Sequence, residues 1–172
     1  MTIGSVTACS LRCVLPLIAL LFSGCLAALP DTESLPVKQA CLISEEQALP
    51  INIEIAQSAS ERSRGLMERE KLARDAGMLF VYSSQRRADH GFWMYQTLIP
   101  LDIAYLDRDG TILVISQMAP CPADLGRDCP TYPAGVPFHL ALEMNQGYFE
   151  THGFEPGDRL SLVPADCREA TR

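Results

Sequence analysis

Charge is almost missing from the start of this chain: Arg12 is the only charged side chain before Asp31. Long apolar runs are also missing. The longest is Val14-Leu15-Pro16-Leu17-Ile18-Ala19-Leu20-Leu21-Phe22. It is about half of what a bilayer-spanning helix needs, which excludes a transmembrane span and suits the core of a secretion signal. Cations are outnumbered, with 14 Lys and Arg against 21 Asp and Glu and a net charge of −7, so a phosphate backbone is an unsuitable partner. Histidine occurs three times, and no Ser-His-Asp or Cys-His arrangement stands out. His90 and His152 each precede a glycine and read as loop residues. Beyond residue 25 the cysteines are Cys41, Cys121, Cys129 and Cys167, and no two of them have the C-x2-4-C spacing of a zinc site. Asp107-Arg108-Asp109-Gly110 has too few carboxylates for a calcium loop and serves a turn. No metal or cofactor is expected. Repeats and low-complexity tracts are absent.

What is present begins with the end of the apolar run. Phe22-Ser23-Gly24-Cys25 resembles the lipobox of bacterial lipoproteins, with Phe where Leu is usual. Small residues let a peptidase approach the backbone, and the Cys25 thiol would take the diacylglyceryl group. The competing reading is ordinary secretion with Cys25 a bystander. Lipidation implies a membrane partner through Cys25. Leu26 after the cysteine favours the outer membrane, facing the periplasm, if the host is Gram-negative. Of seven cysteines, Cys9 and Cys13 leave with the signal and Cys25 is acylated. An even set remains: Cys41, Cys121, Cys129 and Cys167. In an oxidising compartment these make two disulfides. Cys121 and Cys129 flank a short loop, and Cys41 with Cys167 would staple the ends of one domain.

The length allows one domain behind a targeting segment. Residues 1–24 read as the signal, 25–50 as a lipidated tether broken by Pro30, Pro36 and Pro50, 51–166 as the domain and 167–172 as a tail. Ile51 to Ile55 alternates as a half-buried strand. Ser58 and Glu61 form a capping box for a helix ending near Gly65. Gly77 to Tyr82 reads as a buried strand, Ser83 to Asp89 as a polar loop, and Phe92-Trp93-Met94 as the start of a short strand. Leu101 to Leu106 and Thr111 to Ile115 form a hairpin about Asp109-Gly110. Phe138 to Glu143 alternates again. A short helix over Gly147 to Gly153, a turn at Glu155 to Asp158 and a strand from Arg159 to Val163 complete the domain. The expected class is α+β and β-rich: a mostly antiparallel curled sheet or small barrel with one or two short helices.

Several blocks recur in a recognisable order. They are Arg64-Gly65-Leu66-Met67, Gly77-Met78-Leu79-Phe80, the stretch Phe92-Trp93-Met94-Tyr95-Gln96-Thr97-Leu98-Ile99-Pro100-Leu101-Asp102-Ile103, Ala141-Leu142-Glu143-Met144-Asn145-Gln146-Gly147, and Gly157-Asp158. Together they resemble the bacterial and archaeal domain-of-unknown-function 192 family, over roughly residues 50–164. Tyr95-Gln96 stands where Lys-Asn is expected, and the Cys121 to Cys129 loop reads as a local elaboration. The resemblance implies an exported or membrane-anchored context and no established reaction.

Three functional readings compete. In the leading one, Trp93, Thr97, Asp102, Arg64 and Glu143 centre a site for a small ligand or an envelope partner. Trp93 provides an aromatic platform beside hydrogen-bonding groups. In the second, Asp102 and Glu143 are the paired carboxylates of a hydrolase of envelope glycans, with Arg64 nearby. That reading needs both carboxylates in one cleft; the bland counterpart is a structural bridge from Arg64 to one of them. In the third, Met67, Met78 and Met94 bind Cu(I) through soft thioethers, against methionine's usual role as core filler. Arg86 and Arg87 read as a solvated loop.

Overall fold

The computed structural model describes residues 35–169. The signal segment and Cys25 lie outside the described residues. In chain order the elements are β1 (Val37–Ile43), β2 (Ala48–Ala56), α1 (Ala59–Arg64), β3 (Ala76–Arg86), β4 (Gly91–Trp93), β5 (Leu101–Leu106) and β6 (Ile112–Met118). There follow β7 (Thr131–Pro133), β8 (Phe138–Asn145), α2 (Tyr148–Thr151), β9 (Arg159–Ser161) and α3 (Asp166–Glu169). Among the described residues no helix is long and apolar enough to cross a membrane.

Seven strands make one mixed sheet in the order β6-β5-β8-β3-β2-β1-β9, and β4 pairs with β7 beside it. Only β2 and β3 run parallel in the large sheet. A parallel pair needs a crossover, and α1 supplies it. Ser58 Oγ accepts from the Glu61 N–H at 3.1 Å, and the Glu61 carboxylate accepts from the Ser58 N–H at 2.7 Å, completing the expected capping box.

The sheet curls into a half-barrel, and its two ends touch at one corner. Ile112 N–H donates to Asp158 O and Leu160 N–H donates to Gly110 O, both at 2.8 Å. Gly110 is required there twice over. Its φ is +90°, and a Cβ would lie 2.3 Å from the Leu160 carbonyl oxygen. The Asp107 carboxylate accepts from the Asp109 and Thr111 N–H groups at 2.8 Å, which fixes the hairpin turn.

Strand pairing sorts the sheet into two apolar faces. One carries Met78, Phe80, Ile103 and Tyr105 and packs under α1 and the β4–β7 pair. The other carries Ile53, Leu79, Ala104, Leu142 and Met144 and packs on Phe149, Phe154 and Leu160 inside the curl. Every residue of β5 is buried, so this strand has no solvent face.

Two boundaries differ from expectation. Residues 37–50, expected in the tether, form β1 and the start of β2, with Ala40, Cys41 and Leu42 fully buried. The prolines mislead here. Pro50 pairs with Cys41 on β1, but the ladder to β3 begins only at Asn52, so its missing N–H breaks no bond on that side. The polar stretch after Tyr82 is not a loop either, because β3 continues to Arg86, which pairs with Phe138.

Both expected disulfides are present. Cys41–Cys167 has a Cα separation of 5.5 Å and Cys121–Cys129 one of 5.8 Å. Cys167 lies in α3, which packs on β1 and β2, so it belongs to the domain and not to a free tail. Cross-links stabilise more the longer the loop they close, with the logarithm of its length. Removing the pair with separation 126 should cost about 5 kcal/mol, and the pair with separation 8 about 2.5 kcal/mol. Urea melts of C41A/C167A and C121A/C129A check this; the reverse order would show that the long loop is already restrained in the unfolded chain.

Candidate functional site

A cleft of about 390 Å³ opens between α1 and the outer end of β3, with β4 at its rim. Its wall includes Arg64, Trp93, Thr97 and Glu143, four of the five residues expected to centre a site. The fifth, Asp102, is not on the wall. Register gives the reason. Ile103 pairs with Glu143 and Asp102 pairs with Met144, so the two carboxyls project from opposite faces of the sheet. The paired-carboxylate hydrolase is therefore overturned.

Asp102 is buried on the inner face, against the turn into α2. Burial raises its pKa, and the N–H groups of Gly147, Phe149 and Tyr148 pull the other way without cancelling it. Its Oδ1 meets no donor within hydrogen-bond geometry. Asp102 thus organises the β8–α2 corner, away from the cleft.

Glu143 sits between Met78 and Ile103 on the outer face. Glu54 lies on the other side of Met78 in the same cross-strand row. Arg69 forks onto Glu54 with bonds of 2.5 and 2.8 Å. That bidentate pair is the buried bridge of the fold. Arg64, expected to bridge to Asp102 or Glu143, instead reaches Glu68 at 4.0 Å, with both side chains more than half exposed. Glu143 is left without a hydrogen bond or ion pair among the described residues. Burial pushes its pKa from the ordinary 4.5 to about 8, with Arg69 opposing. The Thr97 hydroxyl, also on the wall, has no hydrogen-bond partner among the described residues either.

Trp93 is 44% exposed, as the ligand-binding reading requires. Its indole N–H donates to Cys129 O at 3.1 Å, and its ring stacks on Tyr95 at 4.7 Å. The Cys121–Cys129 loop holds this rim. Cys121 N–H donates to Thr97 O at 2.9 Å, and Cys121 bridges the backbone at Tyr95 and Thr97. Beneath the rim, Gln96 and Glu68 both have positive φ without being glycine, and Glu68 N–H donates to Gln96 O at 2.7 Å. Left-handed backbone of this kind concentrates at binding and catalytic sites.

The wall also holds Arg62 and Tyr82, which the sequence reading did not single out for a site, and Arg86 and His90, which it read as loop residues. Both guanidiniums lie over the Tyr82 ring, at 4.8 Å for Arg62 and 5.1 Å for Arg86. Arg86 donates to His90 Nδ1 at 3.1 Å, so that nitrogen carries the lone pair. Burial, then Arg86, lowers the His90 pKa. Alternation along β3 places Met78, Phe80 and Tyr82 on one face, but the register shifts between Val81 and Arg86, so no simple alternation could have placed Arg86. Of the three methionines, Met78 and Met94 are buried with Phe80 and Phe92, and Met67 is on the wall.

The profile of the domain-of-unknown-function 192 family (DUF192), described as an uncharacterized ACR, matches residues 40–162. The chain belongs to the DUF192 family. Among solved structures it is similar to a proposed transcription regulator from Sinorhizobium meliloti 1021, at 32% identity and TM-score 0.64, over 74% of this chain and 95% of that one. It is also similar to a protein of unknown function from Novosphingobium aromaticivorans DSM 12444, at 28% identity and TM-score 0.66, over 78% and 91%. No curated protein matches it. The matched region is thus nearly the whole of both solved chains.

The cleft carboxyl has a measurable consequence. Between 4.5 and about 8 the folded chain holds a proton on Glu143 that the unfolded chain has released. Stability from this group is therefore full below its unfolded pKa and is lost as pH rises through the folded one. Glu143→Gln keeps the shape and stays neutral. Its stability should match wild type near pH 4.5 and exceed it by on the order of 3 kcal/mol near pH 9. Denaturant melts across pH check this; a margin that does not change with pH would mean that Glu143 ionises normally.

Proposed function

We propose that this chain is an exported, lipid-anchored envelope protein whose DUF192 domain binds a small ligand in the cleft under Trp93. The observation that carries the binding reading is the wall itself. Arg64 at the end of α1, Trp93 on β4, Thr97 beyond it and Glu143 on β8 come from separate parts of the chain and meet at one cavity. Two of them, Thr97 and Glu143, present polar groups with no hydrogen-bond partner among the described residues. A pre-formed cleft of a few hundred cubic ångströms with an aromatic rim and unsatisfied polar groups is the usual form of a small-molecule site. Export is supported by the short apolar run, the Phe22 to Cys25 motif and the two disulfides.

The regulator description of the Sinorhizobium meliloti protein is not extended to this chain. A net charge of −7 works against a phosphate backbone, and the arginines of the cleft line a cavity of only about 390 Å³. A Cu(I) role has little to recommend it, since Met78 and Met94 are needed by the core.

Trp93 is the single tryptophan, so its fluorescence reports on the cleft directly. A metabolite library screened by melting temperature should give ligands that raise it by about 2 °C or more and perturb the Trp93 emission. Trp93→Ala should remove those shifts while leaving the fold intact by circular dichroism. Stabilising ligands that act equally on Trp93→Ala would place the site elsewhere. For the anchor, Cys25→Ser should move the protein from the membrane to the soluble fraction. An intact mass showing an unmodified Cys25 would make the protein a soluble secreted one.

A further inference from the structure

The charge of the cleft wall runs against the charge of the whole molecule. The protein is acidic, at −7 overall, yet the ionisable wall residues are Arg62, Arg64, Arg86, His90, Tyr82 and the single carboxyl Glu143. Arg62 and Arg86 share one face-on partner, the Tyr82 ring, and neither forms a salt bridge among the described residues. Arg62 donates to the backbone at Val81 O, 3.0 Å, and at Gln57 O, and Arg86 donates to His90. These neutral acceptors orient the guanidiniums without cancelling their charge. Arg64 is more than half exposed and held only by a 4.0 Å contact to Glu68, so it is the arginine most free to turn inward. Two like charges fixed on one ring, with a third at the mouth, form a site that repels itself until an anion enters.

We propose, building on the ligand-binding reading above, that the cleft takes a small organic anion. Its carboxylate or phosphate meets Arg64, Arg62 and Arg86, and its flat or apolar body lies against Trp93. A neutral oxygen of the ligand meets the Glu143 carboxyl on the floor. Arginine suits this role because its planar fork matches carboxylate and phosphate oxygens. The cleft volume of about 390 Å³ favours a small molecule over a polyanion, which would need the charges spread along an open surface.

Glu143 makes the site pH-dependent. The charged and titratable groups facing it are Arg69 with Glu54 behind Met78, Tyr82 on β3, Tyr105 on β5, and the wall residues Arg62, Arg64, Arg86 and His90. Burial holds Glu143 neutral up to about 8. Above that its ionised form repels an anion from the floor of the cleft. Burial, then Arg86, lowers the His90 pKa, whereas Glu143 is moved upward.

The test sets the anions benzoate and phenyl phosphate against neutral aromatic probes, benzamide as the near-isostere of benzoate and benzyl alcohol. Titrations of the mature protein follow Trp93 fluorescence and melting temperature. Saturable binding of an anionic probe is expected, at least about tenfold tighter than its neutral counterpart. Arg64→Ala and Arg62→Gln should each weaken the anion by about tenfold and leave neutral probes unchanged. From about pH 6.5 to about pH 9.5 wild type should lose affinity several-fold, and Glu143→Gln should not. Neutral probes binding as tightly as anions would overturn the anion assignment while leaving a ligand site. Library ligands that bind through Trp93 but are neutral or cationic would do the same. Failure of every anion, neutral probe and library compound would instead remove the ligand-binding reading itself.

Discussion

Two carboxyls and one guanidinium share the outer face of the sheet, and the cleft depends on how they divide the charge. Glu54, Met78 and Glu143 lie side by side on β2, β3 and β8. Arg69 commits both terminal nitrogens to Glu54. A bidentate pair leaves that guanidinium little capacity for a second carboxylate, so Glu143 has only a distant attraction to set against its burial. Its lowest-energy form at neutral pH is the protonated acid, which donates a hydrogen bond instead of repelling anions. The cationic character of the wall follows from this division. With Glu143 neutral, Arg62, Arg64 and Arg86 are not balanced from within the cleft. A second arginine beside Glu143 would have made the row a closed ion network and the cleft inert.

Much of the fold was legible because its signals are local. The Ser58–Glu61 capping box, the Asp109-Gly110 turn and the alternation of Leu101, Ile103 and Tyr105 each act over a few residues, and each is found where its pattern places it. The two disulfides were legible from spacing and parity. The first strand was not. Its buried stretch is only Ala40-Cys41-Leu42, set between prolines and polar residues, and it is a strand because β2 and β9 pair with it on either side. Such pairing joins residues far apart in sequence and leaves no local trace.

The site was legible in part for a related reason. Arg64, Trp93, Thr97 and Glu143 stood in motif blocks, and the cleft gathers them. Asp102 stood in the longest block and was misassigned, because motif membership does not say which face of a strand a residue occupies. Parity across β5 and β8 decides that, and it depends on register. Arg86 and His90 were missed because β3 runs four residues past its last apolar position, on a stretch whose composition imitates a loop.

The two faces therefore divide the work of the domain. On the inner face Asp102 holds the turn into α2, and the packing of Leu79, Leu142 and Met144 closes the curl. A change there acts on stability first. On the outer face the strands carry a row of polar side chains beneath α1 and a rim tied down by the Cys121–Cys129 loop. The strained backbone at Glu68 and Gln96 lies on this side, where a stable half-barrel can hold it in place. A small sheet with both faces buried has few positions to spare for polar groups. Those it does bury on the outer face are either paired, as Glu54 is, or turned to the cleft, as Glu143 and Thr97 are. Packing alone would favour apolar residues at the last two positions, so their chemistry is best accounted for by what enters the cleft.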